Sequence, residues 1–213
     1  MTNNFEIERI TKRPIQYWFE DGLGELMTGS LFVVLGLFFL IQGWTTNSTV
    51  GYLAGILGMV AIGVGPWLSR FFLKKLKEKV IYPRTGYVKF TTLKRSRRIL
   101  TGIVAIVVSS GLVVVAFQYE SVLNWLPMIE GVAVGAMLYY QAAQVGLIRL
   151  YIEALSSIFI GAGVSVLGQG DLLGSGHYFL SFGVVMILGG GITLIRYLRK
   201  SSGLNDLDEG EPL

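Results

Sequence analysis

The sequence predicts an all-α membrane protein of about six transmembrane helices in three hairpins, with both termini cytoplasmic. Three observations carry that prediction. Of 213 residues, 52% are hydrophobic and 15% are charged, where soluble domains run near a quarter charged. The apolar residues gather into continuous runs of spanning length. Every Lys and Arg falls in segments that would share one side of the bilayer.

The elements follow in chain order. Residues 1–21 mix Ile10, Ile15, Tyr17, Trp18 and Phe19 with charges, and Tyr and Trp favour the headgroup layer. They read as an interfacial segment. A spanning helix needs about 20 apolar residues at about 1.5 Å each. Six runs qualify: about 22–43, 50–73, 99–118, 122–145, 150–168 and 177–197. They are uniformly apolar rather than alternating, which speaks against barrel strands. The first is too long, and its leader too acidic, for a cleaved signal peptide. Together the runs define a membrane domain over 22–200, followed by an acidic tail, 201–213, with Asp206, Asp208, Glu209 and Glu211.

The second run should continue as a helix through Lys79, its basic side chains reaching for the headgroups. Pro83-Arg84-Thr85-Gly86 between β-forming residues reads as a tight turn in a small cytoplasmic β-hairpin at about 80–91. The whole connector, 69–98, carries eleven Lys and Arg against one acid, Glu78. Arg9, Lys12 and Arg13, then Arg149, then Arg196, Arg199 and Lys200 complete the eighteen. Residues 44–49, 119–121 and 169–176 carry none. The positive-inside bias then orients the chain.

Two features concern helix packing. The first run aligns with the fifth at an offset of 132, pairing Asp21 with Glu153 and Gly29 with Gly161. The second aligns with the sixth at 126, pairing Tyr52 with Tyr178 and Gly63 with Gly189. Runs 1–2 and 5–6 are thus a candidate parallel repeat. Glycine is abundant at 28 residues. Gly51-x-x-x-Gly55 and Gly131-x-x-x-Gly135 have the spacing of close helix contacts. They would serve a homodimer seam or, with six helices to pack, contacts within one chain.

Chemistry-bearing residues are few. The chain has no cysteine, which excludes disulfides, thiolate zinc sites and cysteine nucleophiles. Glu130 lies within the fourth run, where an ionisable group is costly. Val134, Met137, Gln141 and Gln144 follow on nearly the same face. Glu130, Gln141 and Gln144 form a candidate polar stripe for transport. The alternative is a hydrogen bond from Glu130 to Ser109, Ser110 or a tyrosine, or a later helix start that leaves it near the outer interface. Asp21 and Glu25, one turn apart, suit a helix N-terminus and would pair with Arg149 or the basic loop. His177, the one histidine, reads as interfacial. Asn47-Ser48-Thr49 fits a glycosylation sequon but sits in a very short loop. No metal cluster, nucleotide loop or positioned nucleophile is visible, so no cofactor is expected and enzyme chemistry ranks last.

Tyr17-Trp18-Phe19-Glu20-Asp21-Gly22 and Tyr82-Pro83-Arg84-Thr85-Gly86-Tyr87-Val88 together resemble a group of uncharacterised prokaryotic multi-pass membrane proteins. The resemblance implies a prokaryotic plasma (inner) membrane and brings no activity. The leading expectation is a non-enzymatic membrane protein. Its basic loop, through Arg84, Lys94, Arg95, Arg97 and Arg98, contacts anionic lipid headgroups or a protein partner, and nucleic acid is not expected. The alternative is a small transporter or channel using the Glu130 stripe.

Overall fold

A computed structural model describes residues 19–45, 47–80, 123–168 and 171–208, without the side chains of 80, 171 and 201–208. The described residues form five long helices: α1 Leu23–Trp44, α2 Ser48–Val80, α3 Leu126–Val145, α4 Ile148–Val166 and α5 Asp171–Asp208. None of the described residues is in a strand. Four helices are long and apolar enough to cross a membrane: Leu23–Trp44, Ser48–Lys79, Ile148–Val166 and Leu172–Lys200. This is an integral membrane protein by length and composition. α3 is as long as α4 and packs along it.

The boundaries differ from the expected runs where hydropathy measures lipid-length stretches rather than helices. α2 continues as one helix through Lys79, as its basic end suggested, and ends at Val80. The position expected to open the hairpin is therefore helical, and 81–91 lies outside the described residues, as does the 99–118 run. α3 starts at Leu126 rather than 122, with Pro127 in its first turn, where a missing N–H costs nothing. α5 begins six residues before the expected sixth run and continues to Asp208, into the acidic tail. Asn47 opens α2: its Oδ1 accepts the N–H groups of Thr49 (3.0 Å) and Val50 (3.4 Å). The asparagine of the sequon is a helix cap.

Contacts fix the packing order. Asp21 meets Lys77 and Glu25 meets Arg149, so the starts of α1 and α4 share an end of the bundle with the end of α2. Gly22 faces Gly190 and Thr193, and Ala142 and Val145 cluster with Leu150, which adds the middle of α5 and the end of α3. Arg70, Lys74, Lys75, Lys77, Lys79, Arg149, Arg196, Arg199 and Lys200 all lie toward this end. Trp44 and Trp125 mark the other.

α1 and α5 are joined backbone to backbone. Glycines recur every seven residues on α1, at Gly22, Gly29, Gly36 and Gly43, and on α5, at Gly176, Gly183 and Gly190. A seven-residue period holds one face toward a partner helix. A Cβ on Gly29 would stand 2.8 Å from Gly183 O, and one on Gly183 2.8 Å from Gly29 O. Gly36 would meet Leu180 N at 2.5 Å, and Gly190 would meet Gly22 O at 2.8 Å. Gly22 also holds φ 72° at the start of α1, a conformation glycine adopts without penalty.

α3 and α4 form a second tight pair. A Cβ on Gly131 would come within 2.7 Å of Ser157 O, and one on Gly135 within 2.9 Å of Ala154 O. Gly161 closes against Pro127 O. The Gly131-x-x-x-Gly135 spacing thus serves contacts within the chain. A Cβ on Gly55 would likewise stand 3.0 Å from the side-chain amide nitrogen of Gln42 in α1. α2 lies against α1 and exposes most of its apolar surface, including Met59 and Trp67.

The candidate repeat finds no support in these surroundings. Tyr52 is 73% exposed while its counterpart Tyr178 is wholly buried. A Cβ on Gly63 would meet nothing within 4 Å, whereas one on Gly189 would meet Glu153.

Candidate functional site

The two glycine-packed pairs, α1–α5 and α3–α4, meet along a seam, and the seam collects most of the buried polar side chains. α4 supplies its spine. Glu153, Ser157, Gly161 and Ser165 recur every four residues and are all buried, a spacing that stacks side chains on one helical face.

At the basic end the contacts are charged. Arg149, on the first turn of α4, reaches across to α1. Its Nε lies 2.8 Å from Glu25 Oε1, and its terminal nitrogens donate to the carbonyls of Phe19 and Glu20. The Nε–H does not point squarely at the carboxylate, so the Glu25 pairing is Coulombic first. Asp21 takes the other cation. Its Oδ2 is 2.7 Å from Lys77 Nζ, with both side chains buried, and its Oδ1 accepts the Leu23 N–H at 3.0 Å. Both acids sit where the α1 dipole favours negative charge. The pairing with Arg149 and the basic connector anticipated from sequence is the one the structure makes.

Glu153 lies one turn beyond Arg149 on α4, 6% exposed, and its Oε2 meets no hydrogen-bond donor. Its Oε1 faces the backbone of α5 where Gly189 leaves room, 3.4 Å from the place a Cβ would occupy. The sequence paired Glu153 with Asp21 only as a repeat position. The signal that marks it is an acid in an apolar run with Ser157 and Ser165 at helical spacing beyond it.

In the middle of the seam, Ser157 Oγ donates to Gly131 O at 2.9 Å and stands 2.8 Å from Tyr178 Oη. A serine hydroxyl has one proton. With that proton on Gly131 O, Tyr178 is the donor to Ser157. Further along, Ser165 Oγ accepts the Met128 N–H at 3.0 Å.

Glu130 stands near the far end, the fifth residue of α3. Ser175 of α5 donates to its Oε1 at 2.9 Å, and its Oε2 is buried without a hydrogen-bond partner. The late start of α3 puts Glu130 closer to the helix end than the 122–145 run implied. Its hydrogen-bond partner is Ser175; Ser109 and Ser110 lie outside the described residues. Gln141 and Gln144 are half-buried, but Met137 between them and Glu130 is 69% exposed. The residues that α3 buries against its neighbours are Pro127, Gly131, Gly135, Leu138, Ala142 and Val145. His177 Nδ1 lies 2.7 Å from Leu173 O, and its ring stands edge-on to Trp44.

Around the basic end, Arg70, Lys74, Lys75 and Lys79 are exposed on α2. Lys74 pairs with Glu78 at 3.8 Å and Lys75 sits over the Phe71 ring. Arg84, Lys94, Arg95, Arg97 and Arg98 lie outside the described residues. No group of three or more His, Cys, Asp or Glu placed to hold a metal occurs among the described residues. Comparison with protein-family models, curated proteins and solved structures finds no match for this chain.

Proposed function

We propose that the protein is a non-enzymatic, multi-pass protein of a prokaryotic plasma membrane whose basic cytoplasmic face contacts anionic headgroups. The observation that carries this is the basic extension of α2. Lys77 turns inward to Asp21, while Arg70, Lys74, Lys75 and Lys79 turn outward from a helix that has already left its apolar stretch. Cations so placed meet a headgroup layer, where each is worth about 1 kcal/mol at an anionic surface. The connector to 98 adds Arg84, Lys89, Lys94, Arg95, Arg97 and Arg98.

Six spans and cytoplasmic termini fit this reading. α2 ends at the basic end and α3 begins at the other. If α3 crosses beside α4, residues 81–125 cross once as well, which is the place of the 99–118 run. The small hairpin after Val80 then faces the cytoplasm together with the N- and C-terminal segments. Tags at both termini and within 83–90 should report cytoplasmic exposure, and a periplasmic signal from 83–90 would overturn the orientation.

For the lipid role, the test replaces Lys94, Arg95, Arg97 and Arg98 together with Gln. The preference of the purified protein for anionic over zwitterionic lipid should fall. Equal affinity for both lipids before and after the change contradicts the role and leaves a protein partner as the reason for the charge.

A second reading, transport along the seam, is favoured by one observation: Glu130 and Glu153 each bury a carboxyl oxygen that has no hydrogen-bond partner. Ionisable groups inside a membrane domain mark pathways often enough to keep that reading.

A further inference from the structure

Among the described residues, the charged end of the seam does not balance. α1 brings Asp21 and Glu25, α2 brings Lys77, and α4 brings Arg149 and Glu153. α5 presents Gly189 to Glu153, while its own Arg196, Arg199 and Lys200 are exposed. Glu20 is exposed as well, and the one charged residue of α3, Glu130, lies toward the opposite end. Among the described residues, three buried carboxyls therefore face two cations.

The geometry says which carboxyl is left over. Asp21 has Lys77 at 2.7 Å and Glu25 has Arg149 at 2.8 Å, and both stand at the start of α1, where the dipole supports their charge. Glu153 is the sixth residue of α4, about 9 Å along it at 1.5 Å per residue. Unlike Asp21 and Glu25 it has no cation within ion-pair distance among the described residues, and one of its oxygens, like both of Glu25's, lacks a hydrogen-bond donor. A buried carboxylate with neither its own counter-ion nor a full set of hydrogen bonds is strongly disfavoured. A metal ion is no remedy beside the Arg149 guanidinium, since hard cations also need several oxygens around them. One proton restores neutrality and needs no extra space.

We infer that Glu153 is a proton-binding residue of the seam: it holds a proton while the helix pairs are closed and releases it when water enters between α4 and α5. The step is a simple transfer. The carboxyl O–H bond breaks, the proton passes to the entering water, and the carboxylate left behind is stabilised by Arg149 and by that water. α4 meets α5 through the smallest of contacts here, a glycine, so a small separation suffices to wet the carboxyl. The site stands whether or not any solute is transported and does not depend on the lipid role.

The test is infrared spectroscopy of the full chain in nanodiscs. At neutral pH the wild-type protein should show a protonated-carboxyl C=O stretch that shifts in deuterated buffer. Glu153→Gln should remove one component of it, and Glu130→Gln should leave that component in place. Because Gln mimics a neutral carboxyl, Glu153→Gln should fold and melt with the wild type. Gly189→Ala sets a methyl group against Glu153 Oε1 and should move the same component in frequency. A band unchanged by Glu153→Gln overturns the inference. So does loss of the component in Glu25→Gln alone, or a Glu153→Gln protein that no longer folds, since either outcome means that Glu153 acts as an ionised partner of Arg149.

Discussion

The two faces of α5 show two ways to hold helices together in lipid. Toward α1 it offers Gly176, Gly183 and Gly190, and the backbones approach until no Cβ would fit. Toward α3 and α4 it offers Ser175 and Tyr178 to Glu130 and Ser157, and the space of Gly189 to Glu153. Lipid tails are as apolar as leucine, so burial alone does not drive such contacts; close packing and hydrogen bonds do. The glycine face gains dispersion along its whole length. The polar face gains single hydrogen bonds, about 0.6 kcal/mol each on average in a membrane, and can exchange them with water. On this packing the first is expected to stay closed and the second to open more readily.

The largest expected effect breaks the charged end of the polar face. Arg149→Met leaves the buried Glu25 carboxylate without its cation, which should cost about 3 kcal/mol, the lower end for a broken buried pair because the guanidinium is partly exposed. Adding Glu25→Gln should recover most of that loss in a detergent melt. If the double variant is no better than the single one, Arg149 works through its bonds to the Phe19 and Glu20 carbonyls instead.

Next comes the glycine face. Gly183→Val should destabilise by about 1–3 kcal/mol or more through overpacking, because its Cβ would stand 2.8 Å from Gly29 O and Val33 N. Gly163→Val is the control, since a Cβ there meets nothing within 4 Å. Equal losses for the two would dissolve the distinction between the faces. The smallest effect concerns Glu130. Glu130→Leu should cost on the order of 1 kcal/mol, the scale of an interhelical hydrogen bond, while Glu130→Gln keeps a partner for Ser175 and should scarcely change the melt.

The sequence shows the spans well because lipid length and apolar composition are one-dimensional. The first, second, fourth and fifth runs land within a few residues of α1, α2, α3 and α4. The ends are less legible: α5 runs on to Asp208 through Ser201-Ser202-Gly203, residues whose local propensity would end a helix there. Asp21 and Glu25 are legible as acids at a helix start, with cations from Arg149 and the basic connector to meet them. The α1–α5 joint was legible in principle, since Gly22, Gly29, Gly36 and Gly43 keep a seven-residue beat, but four-residue spacings draw the eye first. Glu153 was not legible as a site, because its meaning comes from α5 yielding space at Gly189 and from Arg149 being already engaged by α1. Which helix lies opposite is a property of the packing, not of the run that carries the acid.

The most direct test of the two-joint account compares positions at one depth on the two sides of α5. Ser175 faces Glu130 across the polar seam, and Leu40 of α1 packs on the neighbouring Gly176. Both are buried, and the chain has no cysteine. Single cysteines at 175 and 40 would be exposed to a water-soluble thiol reagent in the folded protein and again after denaturation. Labelling at 175 should be clearly faster than at 40 in the folded protein, with the two rates converging once it is unfolded. Equal protection at both positions, or faster labelling at 40, would contradict the two-joint account.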